Sequence, residues 1–148
     1  MASFKRILVP VDFGESSKEA LDVAIDLAKQ YRASLTLVHT WEVPAYGYGA
    51  MEFSAVDMLT PIQTAAREQL DALLAEVQKQ LPEASAVLSR GVPWREIVTA
   101  IEQTKPDLVV MGTHGRKGIG RAILGSVAEK IVRSSPVPVL TVRAHSER

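Results

Sequence analysis

The sequence predicts an α/β protein built on a doubly wound, five-stranded parallel sheet in the strand order 3-2-1-4-5, with helices on both faces. Two features of the chain favour this class. Short apolar segments rich in β-branched residues alternate with segments of helical period, as in parallel strands joined by right-handed crossovers. The segment Leu108–Met111 is apolar without interruption, which is typical of a strand that helices cover on both sides.

Length, charge and hydropathy limit the class of protein further. A chain of 148 residues is most simply one domain, and we expect a single domain over 1–148. Its 17 basic and 17 acidic residues balance, which argues against a nucleic-acid partner. The apolar runs have strand length and indicate no membrane span or signal peptide, and the absence of cysteine fits a reducing compartment. We therefore expect a cytoplasmic protein without a membrane partner.

The first strand is predicted over Phe4–Val11, and its ladder should end near Pro10, which has no N–H to donate. Asp12 therefore lies just beyond the carboxyl end of this strand. Behind it, Ser16-Ser17-Lys18-Glu19 forms a capping-box pattern that predicts a helix start at the serines. The apolar residues that follow at helical spacing are Leu21, Ala24, Ile25 and Ala28.

A second strand, Leu35–Thr40, precedes the segment 43–60, which has no sustained period. A connection of this length is either a mobile lid over a site or a surface excursion. Thr60-Pro61 then indicates the start of the second helix. The apolar stripe of this helix consists of Ala66, Leu70, Leu73, Leu74, Val77 and Leu81.

The second half of the chain repeats the alternation. A third strand is predicted over Ala84–Ser89, and a third helix begins at Pro93. The last strand is predicted over 137–142 and contains Pro138, which places it at an edge of the sheet because proline cannot complete a central ladder. A polar tail, 143–148, follows.

A glycine-rich, basic loop joins the fourth predicted strand, Leu108–Met111, to the last helix. Five glycines fall within the fourteen residues from Gly112 to Gly125, and a helical pattern begins at Val127. This order is typical of a phosphate site, because the first N–H groups of a helix point at a ligand that glycine lets approach. From Gly112 to Arg133, five basic residues accompany Glu129 alone, a net charge of +4. An anion is the expected ligand.

The spacing of the glycines excludes two common phosphate motifs. A P-loop is absent because Lys117 follows an arginine and precedes no hydroxyl residue. The dinucleotide fingerprint is absent because Ile123 stands at its third glycine. The remaining pattern, Gly112-x2-Gly115-x9-Gly125-Ser126, resembles the nucleotide-binding signature of the universal stress protein family, G-x2-G-x9-G-[ST], at every fixed position.

The predicted strand order brings two distant segments together. In doubly wound sheets the ligand lies outside the carboxyl ends of the strands where the order reverses, here between the first and fourth strands. Pro10-Val11-Asp12 and Gly112-Thr113-His114-Gly115 are therefore expected to face each other across one crevice.

The resemblance to universal stress proteins extends from Ile7–Asp12 to Pro138–Val142. It implies a Rossmann-like fold of the adenine nucleotide alpha hydrolase-like type. In the branch with this glycine pattern, it implies an ATP ligand with Mg²⁺ or Mn²⁺ bridging its phosphates. It further implies a homodimer formed through the last strand, and an unidentified protein partner would sense nucleotide occupancy.

The same resemblance assigns the binding residues. Asp12 would accept hydrogen bonds from the ribose hydroxyls, and Thr40 matches a position that offers backbone groups to the adenine edge. The phosphate loop matches from Gly112 onward and closes at the last helix. The full predicted set is Pro10, Val11, Asp12, Thr40, Gly112, Thr113, His114, Gly115, Arg116, Gly125, Ser126 and Val127.

Ordinary structural roles stay open for several of these residues. Asp12 is also a common turn former, and Ser126 also suits an N-cap position. His114 and Arg116 also suit an exposed loop, as a surface histidine and a solvated charge.

Three functions remain open at this point. The first is an ATP-binding signalling module whose occupancy biases the lid or the dimer. The second is a slow ATP hydrolase, which is poorly supported because Asp12 is the only acid placed near the site and no Walker-type lysine or serine is present. The third is a dimeric scaffold without nucleotide, which the intact glycines disfavour. No catalytic or metal-ligating residue is predicted.

Overall fold

The computed structural model of the chain describes residues 3–43, 55–114 and 124–145. Strands and helices alternate along these ranges. The strands are β1 (Arg6–Pro10), β2 (Ser34–Trp41), β3 (Ser85–Arg90), β4 (Leu108–Gly112) and β5 (Val139–Val142). The helices are α1 (Glu15–Tyr31), α2 (Ala55–Gln78), α3 (Pro93–Thr104) and α4 (Ser126–Ser134).

The described strands form one parallel sheet in the order β3-β2-β1-β4-β5, so the predicted order is confirmed. β1 pairs with β2 along its whole length, from Arg6 opposite Ser34 onward. Its other neighbour is β4, where Ile7 lies opposite Leu108. The strand order therefore reverses between β1 and β4, which opens a crevice beyond their carboxyl ends.

Two apolar clusters cover the two faces of the sheet. Ile7 and Val9 of β1 belong to the cluster under α1 and α2, whereas Leu8 belongs to the cluster under α3 and α4. This division follows from the alternation of side chains along a strand. All three side chains are at most 1% exposed, so β1 is buried on both faces, as a central strand of a parallel sheet requires.

The second helix begins earlier than predicted. It starts at Ala55 rather than at Thr60, and Pro61 lies inside it. Proline removes one backbone hydrogen bond, the one that residue 61 would donate to residue 57, without ending the helix. The last part of the predicted segment 43–60 is therefore helical, and residues 44–54 lie outside the described residues.

The capping-box prediction for the first helix is wrong. Gly14 is the N-cap of α1, and no side chain caps the helix. Ser16 and Ser17 lie in the first turn, where both are buried and bond to other segments. The carboxylate of Glu19 instead accepts a hydrogen bond from the backbone N–H of His145 at 2.8 Å. The hydroxyls of Ser16 and Ser17 and the carboxylate of Glu19 thus bond to groups outside the helix.

β5 lies at the sheet edge, as predicted, but it begins at Val139, so Pro138 precedes the strand. The carbonyl of Pro138 accepts a hydrogen bond from the N–H of Val109 at 3.0 Å. Pro138 therefore supplies a carbonyl acceptor to the neighbouring strand, and its missing N–H is not required because it lies before β5. In the part of the chain that the structure describes, no helix has the length and apolar character of a membrane span.

Candidate functional site

A cavity of about 600 Å³ opens beyond the carboxyl ends of β1 and β4. Ten of the twelve predicted binding residues line it, namely Pro10, Val11, Asp12, Thr40, Gly112, Thr113, His114, Gly125, Ser126 and Val127. The other two, Gly115 and Arg116, lie outside the described residues. The reversal of strand order thus brings together two segments about a hundred residues apart in sequence.

Further lining residues were not predicted. They are Ser17, Val38, Pro93, Ile97, Met111, Leu124 and Ala128. Most are apolar, and Val38 and Met111 fall within predicted strands, where burial in the sheet already explains an apolar residue. The sequence therefore carried no separate signal for a position at the cavity wall. Ser17 had been assigned to a capping box.

The end of β1 is fixed by hydrogen bonds to β2. The N–H of Val11 donates to the carbonyl of Val38 at 2.8 Å, and the Nδ1–H of His39 donates to the carbonyl of Val11 at 2.8 Å. The imidazole of His39 also lies against the ring of Phe13, with centroids 4.6 Å apart. These contacts hold the segment that carries Asp12.

Asp12 both forms a turn and lines the cavity. Its Oδ1 accepts a hydrogen bond from the N–H of Gly14 at 2.8 Å, and its own N–H donates to Oγ of Ser17 at 3.1 Å. Phe13, between Asp12 and Gly14, has a backbone φ of 65°, which is unusual for a bulky residue. The two roles considered for Asp12 are therefore compatible, because the residue that forms the turn also lines the cavity.

The first turn of α1 is tied to the end of β4. Oγ of Ser16 donates to the carbonyl of His114 at 2.6 Å and accepts from the N–H of His114 at 3.3 Å. The ring Nδ1 of His114 and Oγ1 of Thr113 are 3.0 Å apart and hydrogen-bonded. His114 is only 7% exposed, so the alternative of a surface histidine, which was left open beside its predicted binding role, is wrong.

Gly112 and Gly125 are required for close packing of the backbone. A Cβ on Gly112 would lie 2.6 Å from the carbonyl carbon of Ser16 and 2.7 Å from the backbone nitrogen of Ser17. A Cβ on Gly125 would lie 2.9 Å from the carbonyl oxygen of Thr113. Among the described glycines only Gly91 has a positive φ, so the expected conformational freedom is not the reason for these two.

The N-terminus of α4 forms one wall of the cavity. Gly125 is its N-cap and Ser126 its first residue, so Ser126 is not an N-cap, whereas both residues line the cavity. The first hydrogen bond of this helix runs from the N–H of Glu129 to the carbonyl of Gly125 at 2.9 Å. The three preceding N–H groups therefore have no acceptor within the helix, and their partial positive charge favours an anion.

Two of the five basic residues between Gly112 and Arg133 have other partners. Arg133 pairs with Glu129 at 2.9 Å, and Nζ of Lys130 lies 5.2 Å from the ring centroid of Trp94. The attraction for an anion in the described part of the site therefore comes from helix N–H groups rather than from these side chains.

Opposite α4, a polar atom of β2 lies unsatisfied at the cavity. Oγ1 of Thr40 is buried and has no hydrogen-bond partner in the described structure, and Thr40 lines the cavity. Buried hydroxyls are normally hydrogen-bonded. The orphaned hydroxyl is thus suited to a polar group of a ligand.

Comparison with known proteins identifies the family. The model of the universal stress protein family matches residues 3–143. This chain belongs to the universal stress protein family. A universal stress protein of Methanocaldococcus jannaschii is 33% identical, and the match covers 95% of this chain and 82% of the relative. The universal stress protein UspA from Lactobacillus plantarum has a similar structure, with a TM-score of 0.84, 26% identity and coverage of 97% of this chain and 100% of that one.

Two more distant universal stress proteins share the fold. One was solved in complex with cAMP, with 22% identity, a TM-score of 0.69 and coverage of 97% of this chain and 99% of that one. The other, from Arabidopsis thaliana, was solved with AMP bound, with 17% identity, a TM-score of 0.70 and coverage of 97% and 94%. The cAMP and the AMP are ligands of those two proteins.

Proposed function

We propose that this universal stress protein is an ATP-binding module, with a divalent cation, Mg²⁺ or Mn²⁺, bridging the phosphates of its ligand. The observation that carries this proposal is the pairing, across one cavity, of the Asp12 carboxylate with the N-terminus of α4. The first suits the hydroxyls of a sugar and the second suits phosphate. The cavity volume of about 600 Å³ is within the range of small-molecule sites.

The adenosine end of the site lies between β1 and β2. Val38, Ile97 and Met111 supply apolar wall, which suits the faces of a flat base. The orphaned hydroxyl of Thr40 suits the polar edge of that base. The resemblance predicted a main-chain contact at Thr40, and the buried Oγ1 adds a side-chain contact at the same residue.

The phosphate end of the site lies at the start of α4. The N–H groups of Ser126, Val127 and Ala128 precede the first helical hydrogen bond, and these three residues line the same cavity. Glycine at position 125 lets the helix begin against the end of β4. These groups supply fixed donors and a favourable helix dipole without a lysine or arginine side chain.

The cation is assigned to the phosphates rather than to the protein. Within the described ranges, no cluster of three or more His, Asp or Glu side chains could hold a metal ion, and Asp12 is the only acid among the described lining residues. Mg²⁺ commonly binds through one or two carboxylates together with substrate phosphates. The same donor set supports binding rather than hydrolysis, which needs groups that position water and fix the metal.

We further propose that nucleotide occupancy is coupled to a homodimer formed through β5. The N–H of Thr113 donates to the carbonyl of Val142 at the end of β5 at 3.0 Å. The carbonyl of Thr113 accepts from the N–H of Gly125 at the start of α4. One residue thus joins the edge strand to the phosphate end of the site, and a protein partner would recognise the resulting state.

Calorimetric titration tests the proposal. The purified protein is titrated with ATP and with AMP, each in the presence and absence of Mg²⁺. Saturable binding that is stronger for ATP with Mg²⁺ is expected, and the absence of saturable heat at millimolar nucleotide would contradict the proposal. Phosphate release in a single-turnover reaction with excess protein separates a binding module from a slow hydrolase.

A further inference from the structure

Two adjacent buried serines at the start of α1 use their hydroxyls differently. Ser16 is 3% exposed and Ser17 is 4% exposed. Oγ of Ser16 both donates to and accepts from the backbone of His114. Oγ of Ser17 accepts from the N–H of Asp12 at 3.1 Å, and of the two serines only Ser17 lines the cavity.

The hydrogen of the Ser17 hydroxyl has no acceptor in the part of the chain that the structure describes. A serine hydroxyl can donate one hydrogen bond and accept two, and the bond from Asp12 uses only an acceptor position. An oxygen that accepts a hydrogen bond becomes a better donor through its own hydrogen, because neighbouring hydrogen bonds polarise one another. A nearly buried hydroxyl at a cavity wall, with its donor uncommitted, is suited to an acceptor atom of a ligand.

We propose that the Ser17 hydroxyl donates a hydrogen bond to a ribose hydroxyl oxygen of the bound nucleotide, beside the Asp12 carboxylate. This inference rests on the proposed function. Each hydroxyl of a ribose diol is both donor and acceptor, whereas a carboxylate only accepts. Ser17 supplies the donor that Asp12 lacks, so the pair matches the diol. Phosphate oxygens only accept, and the N–H groups of α4 already match them.

This pair makes the site selective for ribose over deoxyribose. A site that hydrogen-bonds a substrate hydroxyl disfavours the analogue without it, because its own polar groups are then left unpaired. One neutral hydrogen bond corresponds to about a three- to tenfold change in affinity. We therefore expect weaker binding of either 2′-deoxy-ATP or 3′-deoxy-ATP, depending on which hydroxyl Ser17 contacts.

The test combines a protein variant with a ligand variant. The dissociation constants of ATP, 2′-deoxy-ATP and 3′-deoxy-ATP are measured for the wild type, for Ser17→Ala and for Ser16→Ala. Ser17→Ala is expected to weaken ATP binding about three- to tenfold. The variant should then bind one of the two deoxy analogues, the one that lacks the hydroxyl contacted by Ser17, as tightly as it binds ATP. Ser16→Ala, the matched control, is expected to discriminate between ATP and both analogues as the wild type does.

A second set of variants distinguishes a direct contact between Ser17 and the ribose from an effect of Ser17 on the position of Asp12. Ser17→Ala also removes the acceptor of the Asp12 N–H, so the same three ligands are titrated with Asp12→Asn and with the double variant. The proposal expects the dependence on one ribose hydroxyl to persist in Asp12→Asn and to disappear in the double variant. Its absence from Asp12→Asn would show that Ser17 acts only through Asp12, and would overturn the proposal.

The remaining outcomes are also decisive. If Ser17→Ala weakens all three ligands equally, or none of them, the proposed contact is wrong while the proposed function stands. If the wild type binds no adenine nucleotide, the proposed function is wrong and this inference with it. Should Ser17→Ala fail to fold, the analogues still test the wild type, where equal affinity for all three would exclude the contact.

Discussion

The N–H of Gly125 donates a hydrogen bond of 2.7 Å to the carbonyl of Thr113. This bond joins the two ends of the glycine-rich loop directly, so α4 begins against the end of β4. A Cβ on Gly125 would approach the same carbonyl oxygen to 2.9 Å and the Cα of His114 to 3.3 Å. The wall that presents the first N–H groups of α4 to the cavity therefore depends on glycine at this position.

Alanine at the two described glycines of the motif should have different consequences. Gly125→Ala would displace the start of α4 from Thr113, and we expect a loss of about 1–3 kcal/mol of unfolding free energy with at least tenfold weaker ATP binding. Gly112→Ala would place a Cβ 2.6–2.7 Å from backbone atoms of α1, and should cost about 3 kcal/mol or more. Urea denaturation and ATP titration measure both effects. Normal ATP affinity in a folded Gly125→Ala protein would contradict the placement of the phosphates.

Ser16→Ala tests the connection between α1 and the end of β4. It removes a buried hydroxyl and leaves the N–H and carbonyl of His114 without these partners, so we expect a loss of about 1–3 kcal/mol in unfolding free energy. Ser34→Ala is the matched control, because its exposed hydroxyl makes a single 3.3 Å bond to Lys5 and should change stability by less than about 0.5 kcal/mol. Chemical denaturation compares the two variants, and equal losses would refute the structural role of Ser16.

Substitution of Asp12 separates its two roles. Asn keeps an oxygen that can accept from the N–H of Gly14, so Asp12→Asn should preserve stability to within about 0.5 kcal/mol. It removes the charged acceptor, and we expect about tenfold weaker ATP binding. Asp12→Ala should lose both affinity and stability. Unchanged ATP affinity in Asp12→Asn would show that the carboxylate serves the turn alone.

Substitution of an exposed apolar residue on β5 tests the proposed dimer. Leu140 on this edge strand is 40% exposed, and Val132 on α4 is 46% exposed. Leu140→Asp should raise the dimer dissociation constant at least tenfold, because it places charge in an apolar strand interface, whereas Val132→Asp should leave it unchanged. Sedimentation velocity over a concentration series measures both. A monomeric wild type, or an equal response of the two variants, would exclude assembly through β5.

The sheet and its order followed from the sequence because local pattern and global topology agree in this chain. The uninterrupted apolar run before Gly112, the amphipathic helices and the reversal of strand order each depend on short-range periodicity together with a general rule for parallel sheets. The same rule predicted that Asp12 and the glycine motif lie together, and ten of the twelve predicted residues line one cavity. Binding by these residues stays a prediction.

The errors concern features that the local sequence pattern does not show. Ser16 and Ser17 match a local capping motif, but their hydroxyls bond to His114 and Asp12, and only the folded chain reveals those neighbours. Gly112 was explained by ligand approach, whereas its neighbour is the backbone of α1. Pro61 was taken for a helix start, although the helix passes through it. Local motifs identify which residues are unusual, and tertiary packing decides what each of them contacts.

A crystal structure of the protein with ATP and Mg²⁺ tests the central claim most directly. The claim predicts the base beside Thr40, the ribose beside Asp12 and the phosphates at the N–H groups of Ser126 and Val127. Nucleotide bound elsewhere on the protein, or phosphates placed at the β2 side of the cavity, would contradict it.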